Sequence, residues 1–319
     1  MRPAQLSLSD AALSEILDAA EASFPTTRRA LSEATGLGLS TVTRAESLCL
    51  SRGIWRRAPG VDPISGRPCR ILRPAEDLLL PLLTLTRESG TVRVVDTALE
   101  VRASAVTTLH PAAPPEEPAR LLCRRFLSLL RGCGDGGQVT APVLLVEPSY
   151  PAAVPALRDV VADALGRPPL AVMSHGEAVS RALRLGAYAD RGGSLLFLSV
   201  GPGPHACLLL RDGRVWKPSP LGDNLTATLS RVLQKQEPSA EGIRRGVATF
   251  LTELCRFLRP DRICLEDTRG ILPDGEVLAA LLPDGVEVTV FPVAEGLTTA
   301  ETGGVLAGRR MLWERMLLG

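Results

Sequence analysis

The stretch that most restricts what this chain can fold into is Gly36 to Arg73, GLGLSTVTRAESLCLSRGIWRRAPGVDPISGRPCRILR. Within it, Thr41 to Arg52 carries apolar residues at Val42, Ala45, Leu48 and Cys49, the spacing of a helix with one buried face. The opposite face offers Ser40, Thr43, Arg44 and Ser47, short hydroxyls and a guanidinium. Upstream, Thr27 to Thr35 reads as a short helix ending at Gly36, the residue type that closes a helix through a left-handed turn. Gly53 ends the second of these helices. Ile54-Trp55-Arg56-Arg57 and Arg70-Ile71-Leu72-Arg73 then read as two strands around a loop of Gly, Pro and Arg. Leu6 to Ala20 places Leu8, Ala12, Leu13, Ile16 and Leu17 on one side of a further helix, with Ser9 or Asp10 to cap it. Three helices and a basic-tipped hairpin predict a winged helix-turn-helix over residues 1–74.

Charge supports a nucleic-acid partner for this segment. From Thr26 to Arg73 nine arginines face only Glu33, Glu46 and Asp62, a local excess of about six in a chain whose net charge is +1. Ser40, Thr43, Arg44 and Ser47 are placed to meet base edges or phosphates if their helix enters a major groove. Arg67 and Arg70 are placed to reach a minor groove or a phosphate. Arg28 and Arg29, at the start of the second helix, could hold phosphates or form a solvated charged face. The bland alternative for the whole segment is a packing domain or a protein contact.

A chain of 319 residues, 45% hydrophobic and 22% charged, has room for about two domains and a real core, which excludes disorder. Its seven cysteines (49, 69, 123, 133, 207, 255 and 264) are odd in number, contain no CxxC pair and mostly lie in apolar runs. Buried free thiols in a reducing compartment fit this pattern; disulfides and zinc do not. The beginning MRPAQLSLSD has no apolar signal core, and the run Leu78 to Leu85, interrupted by Pro81, is too short to span a bilayer. A soluble, cytoplasmic protein is expected.

Residues 75–90 read as a helical connector. From Thr91 onward strands and helices alternate, and an α/β domain with mixed sheets is expected. Thr91 to Thr97 and Val101 to Leu109 suggest a hairpin, Val143 to Val146 a buried strand, and Val154 to Leu165 a helix. Ser194 to Val200 and Ala206 to Arg211 are strands about Gly201-Pro202-Gly203-Pro204, with an Asp-Gly turn at 212–213. Glu241 to Leu258, Asp274 to Leu282 and Thr302 to Leu318 read as helices, and Arg262 to Glu266 and Val286 to Phe291 as strands. No internal sequence repeat is visible.

These features together resemble the ROK family of repressors, open reading frames and sugar kinases, and its repressor branch in particular. Gly38 to Arg44 is similar to the family's recognition helix, and Gly66-Arg67-Pro68 to its wing element. Val95-Asp96-Thr97 through Val106 stands where the kinase-like domain opens. Ser174-His175-Gly176-Glu177-Ala178-Val179-Ser180 matches the Asn-Asp-Ala-Asn stretch, and Gly201-Pro202-Gly203-Pro204-His205-Ala206 the glycine-rich turn. Leu258 to Ile263 and Gly303 to Ala307 look like the closing junction and helix. The resemblance implies a two-lobed, actin-like, ribonuclease H-like sugar-kinase domain over 91–319. Lobe 1 would take about 91–175 plus the helix 302–319, and lobe 2 about 176–301.

The departures from that pattern bear on function. The family's catalytic Asp falls on His175; Ala98, Leu99 and Glu100 replace a glycine-rich phosphate loop. Pro202 and Pro204 each remove an N–H donor from the second loop, and the family's zinc motif is absent between Val215 and Glu241. The expectation is therefore a transcriptional regulator and not an enzyme, with no catalytic residues, no cofactor and no metal. It would bind a pseudo-palindromic double-stranded operator as a homodimer or dimer of dimers. Asp96, His175, Glu177, Gly201 and Gly203 are the candidate contacts for a sugar or sugar-derived effector. For His175 and Asp96, a histidine capping its helix and a plain turn residue are the bland alternatives. The other functional readings are a residual sugar kinase or phosphotransferase and a protein-interaction scaffold.

Overall fold

A computed structural model describes residues 8–62, 65–86, 89–110, 113–114, 116–132, 137–147, 154–185, 193–200, 206–211, 214–216, 225, 229, 231–232, 235, 239–267, 272, 275–280, 282, 286–292 and 296–318. The chain divides into two compact units. The first comprises Met1–Val146, Tyr150–Met173 and Gly304–Gly319, and the second Glu147–Ser149 and Ser174–Gly303.

The first unit begins with helices α1 (Asp10–Ser23), α2 (Arg28–Thr35) and α3 (Leu39–Ser51), then an antiparallel hairpin of β1 (Trp55–Val61) and β2 (Pro68–Pro74). Several of these boundaries have a local cause. Ser9 Oγ accepts the Ala12 N–H at 3.2 Å and Thr27 Oγ1 the Ala30 N–H at 3.1 Å, so α1 and α2 both start at a hydroxyl cap. α2 stops at Gly36, whose φ of +67° is a conformation that side chains resist. At the hairpin tip the Asp62 N–H donates to Arg67 O and the Gly66 N–H to Asp62 O, both at 2.9 Å. Leu13, Ile16, Leu17, Leu31, Val42, Cys49, Ile54 and Trp55 form the core of this segment. Trp313 and Leu317 of the C-terminal helix (Thr299–Leu318) belong to the same core.

A mixed sheet follows, in the order β5 (Val101–Thr108), β4 (Ser89–Asp96), β3 (Leu78–Leu85), β7 (Val143–Val146), β8 (Ala171–Ser174), with β6 (Gln138–Val139) also paired to β3. β3, β4 and β5 form an antiparallel meander, while β7 runs parallel to β3. The expectation of a helical connector over 75–90 is thus corrected: Leu78–Leu85 is a strand, buried at every position. Leu79, Leu83 and Leu85 pack in a core with residues of α4 (Glu116–Gly132) and α5 (Val154–Leu165). Leu80 and Leu82 lie against Gly308 and Gly304 of the C-terminal helix. A strand covered on both faces has no period-two alternation, and its apolar run then looks like any short buried segment. Pro81 sits between Leu78–Leu79, which pair with β6, and Leu82–Leu85, which pair with β7. At that break a missing N–H costs least.

The second unit holds a five-stranded sheet ordered β11 (Arg214–Trp216), β10 (Ala206–Arg211), β9 (Ser194–Val200), β12 (Arg262–Asp267), β13 (Glu287–Pro292). β9, β10 and β11 are antiparallel, and β12 is parallel to both β9 and β13. Val247, Phe250, Leu251 and Cys255 of helix α7 (Ala240–Leu258) pack with Leu196, Leu198, Ile263 and Leu265 of the sheet. The two sheets share one plan, a three-stranded meander extended by parallel strands. The helix expected over Asp274 to Leu282 is shorter, Gly275–Ala279. Helix α6 (His175–Leu185) follows β8 directly.

Candidate nucleic-acid interface

Of the α3 residues singled out in the sequence, Ser40, Arg44 and Ser47 are exposed and Thr43 is half-buried. Thr43 Oγ1 donates to Leu39 O and Ser47 Oγ to Thr43 O, each at 2.8 Å. Their lone pairs remain as acceptors. Arg44 Nε donates to Ser40 O at 3.4 Å, which lays the guanidinium back along the helix. Leu39, at the start of the helix, is 54% exposed. Arg67 and Arg70 are exposed on the hairpin. Arg29 pairs with Glu33 one turn away at 2.8 Å, an exposed pair of little energetic weight.

Arg28 behaves differently from Arg29. Its Nε lies 3.0 Å from Glu46 Oε2, and Arg57 Nε donates to Glu46 Oε1 at 2.8 Å. Glu46 itself is 2% exposed. Strand register explains how the hairpin reaches this point. Arg57 pairs with Leu72 and Pro59 with Arg70, so Arg57 and Arg70 share a face. Arg28, Glu46, Arg57, Arg70 and Leu72 line a cavity of about 290 Å³. Neither Glu46 nor Arg57 was picked out from the sequence. The available signal was a carboxylate four residues after Val42, on the apolar stripe of an otherwise amphipathic helix.

Among the effector candidates, Asp96 and Glu177 each serve their own local backbone. Asp96, fully buried at the end of β4, accepts the N–H groups of Ala98 (2.8 Å) and Glu100 (3.0 Å) on Oδ1. On Oδ2 it accepts Arg102 Nε and Nη2 at 3.0 and 2.5 Å. Its carboxylate holds the β4–β5 turn. In that turn Leu99 has φ +75°, a left-handed conformation that normally selects glycine. Glu177 Oε2 accepts both the Ser174 N–H (2.8 Å) and Ser174 Oγ (2.9 Å), and the Glu177 N–H returns a bond to Ser174 Oγ at 3.3 Å. That is a capping box, so Ser174 and Glu177 start α6, and His175 does not cap it. His175 Nε2 is shielded from solvent and bonds to no described residue. Burial pulls the imidazole pKa down to about 4, with the nearby Glu301 carboxylate opposing the shift. Gly201 and Gly203 lie outside the described residues.

Cys49, Cys123, Cys207, Cys255 and Cys264 are buried, and Cys69 is half-buried, all outside disulfides. Burial raises the Cys49 and Cys123 pKa values to about 12 and about 11. Among the described residues no group of three His, Cys, Asp or Glu side chains could hold a metal ion. No described helix is long and apolar enough to cross a membrane.

No protein-family model matches the sequence, and no curated protein matches it. Solved structures do. A ROK family transcriptional regulator, a homologue of the E. coli MLC protein, superposes with a TM-score of 0.61 at 14% identity. The match covers 96% of this chain and 97% of that one. The fold is the ROK fold. An inorganic polyphosphate/ATP-glucomannokinase from Arthrobacter sp. strain KM matches 74% of this chain and 98% of its own, with a TM-score of 0.48 and 15% identity. A ROK hexokinase from Thermus thermophilus matches 72% of this chain and 97% of its own, with a TM-score of 0.43 and 15% identity.

Proposed function

We propose that this chain is a DNA-binding transcriptional regulator of ROK type, in which residues 1–74 form a winged helix and the sugar-kinase-like part serves dimerisation and effector sensing without phosphotransfer. The observation that carries the reading is the exposed row of Ser40, Arg44 and Ser47 on α3, with Arg67 and Arg70 on the following hairpin. α3 would read base edges in a major groove while the hairpin guanidiniums meet the backbone or a minor groove. The likeness to a ROK regulator over 96% of the chain supports the same reading.

A residual sugar kinase would need a carboxylate free to take a proton from a sugar hydroxyl. Asp96 spends both oxygens on its own turn, and position 175 carries an imidazole instead of a carboxylate. Phosphoryl transfer also needs backbone N–H groups close to the phosphates. The Ala98-Leu99-Glu100 turn supplies side chains there, one of them acidic.

The test is selection of bound fragments from a random duplex pool by the purified chain, at low and moderate salt. A two-fold-symmetric site enriched at moderate salt is expected. Arg44→Ala and Arg67→Ala should then each weaken specific binding, by about 1–3 kcal/mol for a lost base contact. Failure to enrich any site, or unchanged affinity in both variants, refutes the assignment.

A further inference from the structure

The cavity between α2, α3 and the hairpin has a construction that DNA reading by α3 alone does not require. Glu46 is a buried carboxylate, and burying one is costly unless cations close on it. Two do, Arg28 and Arg57, and each engages it through Nε. A guanidinium has five N–H donors in a planar fork. Among the described residues the Nη groups of Arg28 and Arg57 bond to nothing else, and the Arg70 side chain bonds to nothing. Three guanidiniums around one carboxylate leave a net charge of about +2 beside a cavity of about 290 Å³. The Nε hydrogen bond fixes the plane of the Arg57 fork, and the ion contact holds Arg28 beside it, which reduces the side-chain freedom lost when their Nη groups take an oxyanion.

We propose that this cavity seats a backbone phosphodiester of duplex DNA, held by Arg28, Arg57 and Arg70, with Glu46 as the positioning residue that aims the first two. The inference rests on the DNA-binding reading above and adds to it a built phosphate seat that includes Arg57. Nucleic acid is the source favoured by position. Ser47, the neighbour of Glu46, is on the exposed row of α3, and Arg70 shares its hairpin with Arg67. A groove-bound α3 brings a phosphate of the flanking backbone to the same side of the molecule. The seat positions the duplex and carries no sequence preference.

The experiment measures affinity of the full-length chain for its selected duplex and for an unrelated duplex, by fluorescence anisotropy from 50 to 200 mM salt. Wild type is compared with Arg57→Ala, Arg70→Ala and Arg124→Ala; the last removes an exposed arginine of α4 as a charge control. Arg57→Ala and Arg70→Ala should each flatten the plot of log affinity against log salt by about 0.9, which makes the fall in affinity across that range about threefold to fourfold smaller. Both should weaken the two duplexes by equal factors, and Arg124→Ala should do neither. Wild-type slopes in Arg57→Ala and Arg70→Ala, with DNA still bound, overturn the seat and leave the regulator reading standing. No duplex binding by wild type removes both. A rise in melting temperature with inorganic phosphate, lost in Arg57→Ala but unaccompanied by any slope change, would assign the cavity to a free anion and overturn the phosphodiester.

Discussion

Truncating Trp313 to alanine should destabilise the first unit by about 5 kcal/mol, although this residue is more than two hundred positions from the segment it supports. Trp313 is fully buried, with ring centroids 6.0 Å from Phe24 and 6.4 Å from Trp55, both edge-on. The Arg309 guanidinium lies 4.9 Å from the same ring. Removing a buried Trp side chain costs about 3–5 kcal/mol. Lost edge-to-face pairs add about 0.5–1.5 kcal/mol each and the cation–π contact about 0.5–2 kcal/mol. These contributions share one ring and overlap, so the total sits near the top of the truncation range. Arg309, 3% exposed and 3.5 Å from Glu21 Oε1, would also lose the nearer of its two aromatic neighbours, keeping Phe24 at 5.9 Å. Trp313→Phe should behave very differently. It keeps a ring against Phe24 and Trp55 and removes an indole N–H that bonds to no described residue. Relief of an unpaired buried donor is worth about 1–3 kcal/mol, which offsets most of the lost area. Urea unfolding followed by circular dichroism gives both values, and amide exchange across α1, α2 and α3 locates the effect. A loss below about 1 kcal/mol in Trp313→Ala, or unchanged protection of those helices, would refute the joint core.

The low pKa of His175 makes a pH prediction whose sign is fixed. An unfolded His titrates near its ordinary value of 6.5 and the folded one near 4. Between those values the unfolded chain binds more protons, so the contribution to stability is complete above about pH 6.5 and is lost as pH falls toward 4. Wild type should therefore lose more melting temperature than His175→Gln between pH 7 and pH 4.5; equal losses would sink the assignment. Gly303→Ala should destabilise by about 1–3 kcal/mol or more, because the added Cβ would stand 1.7 Å from the backbone oxygen of Ala178. Gly304→Ala meets only the tips of Leu145 and Leu82 at 3.0 Å and gains helix propensity. Its thermal denaturation should stay within about 1 kcal/mol of wild type, and equal damage from the two substitutions would show that the close helix approach is not the cause.

Much of the fold was legible because its signals are local. Gly36 and Gly53 stopped helices where expected, and the apolar stripe of α3 buried Val42, Ala45 and Cys49 as its spacing implied. The candidate interface was legible in part. Ser40, Arg44, Ser47, Arg67 and Arg70 are exposed, whereas Arg28 turns to Glu46, a buried carboxylate whose place on the apolar stripe was its one mark in the sequence. The Ser174-x-x-Glu177 spacing carries a capping box in the sequence alone, and the structure gives Glu177 that role.

By itself, the sequence determined the helices and hairpin of the N-terminal segment, the alternating strands and helices after Thr91, and the burial of most thiols. Caps, turns and amphipathic periods act within about one helical turn, so the chain carries them wherever it lies. Only the tertiary structure decided that Leu78–Leu85 is a strand, since helices cover it on both faces. Only there do Arg28 and Arg57 meet Glu46, and Trp313 enter the core formed by α1, α2 and α3. The shared plan of the two sheets also emerged only in space, because hydrogen-bond topology repeats without asking the side chains to repeat. Contacts between residues far apart in the chain leave no period to read; they exist once the backbone has brought the partners together.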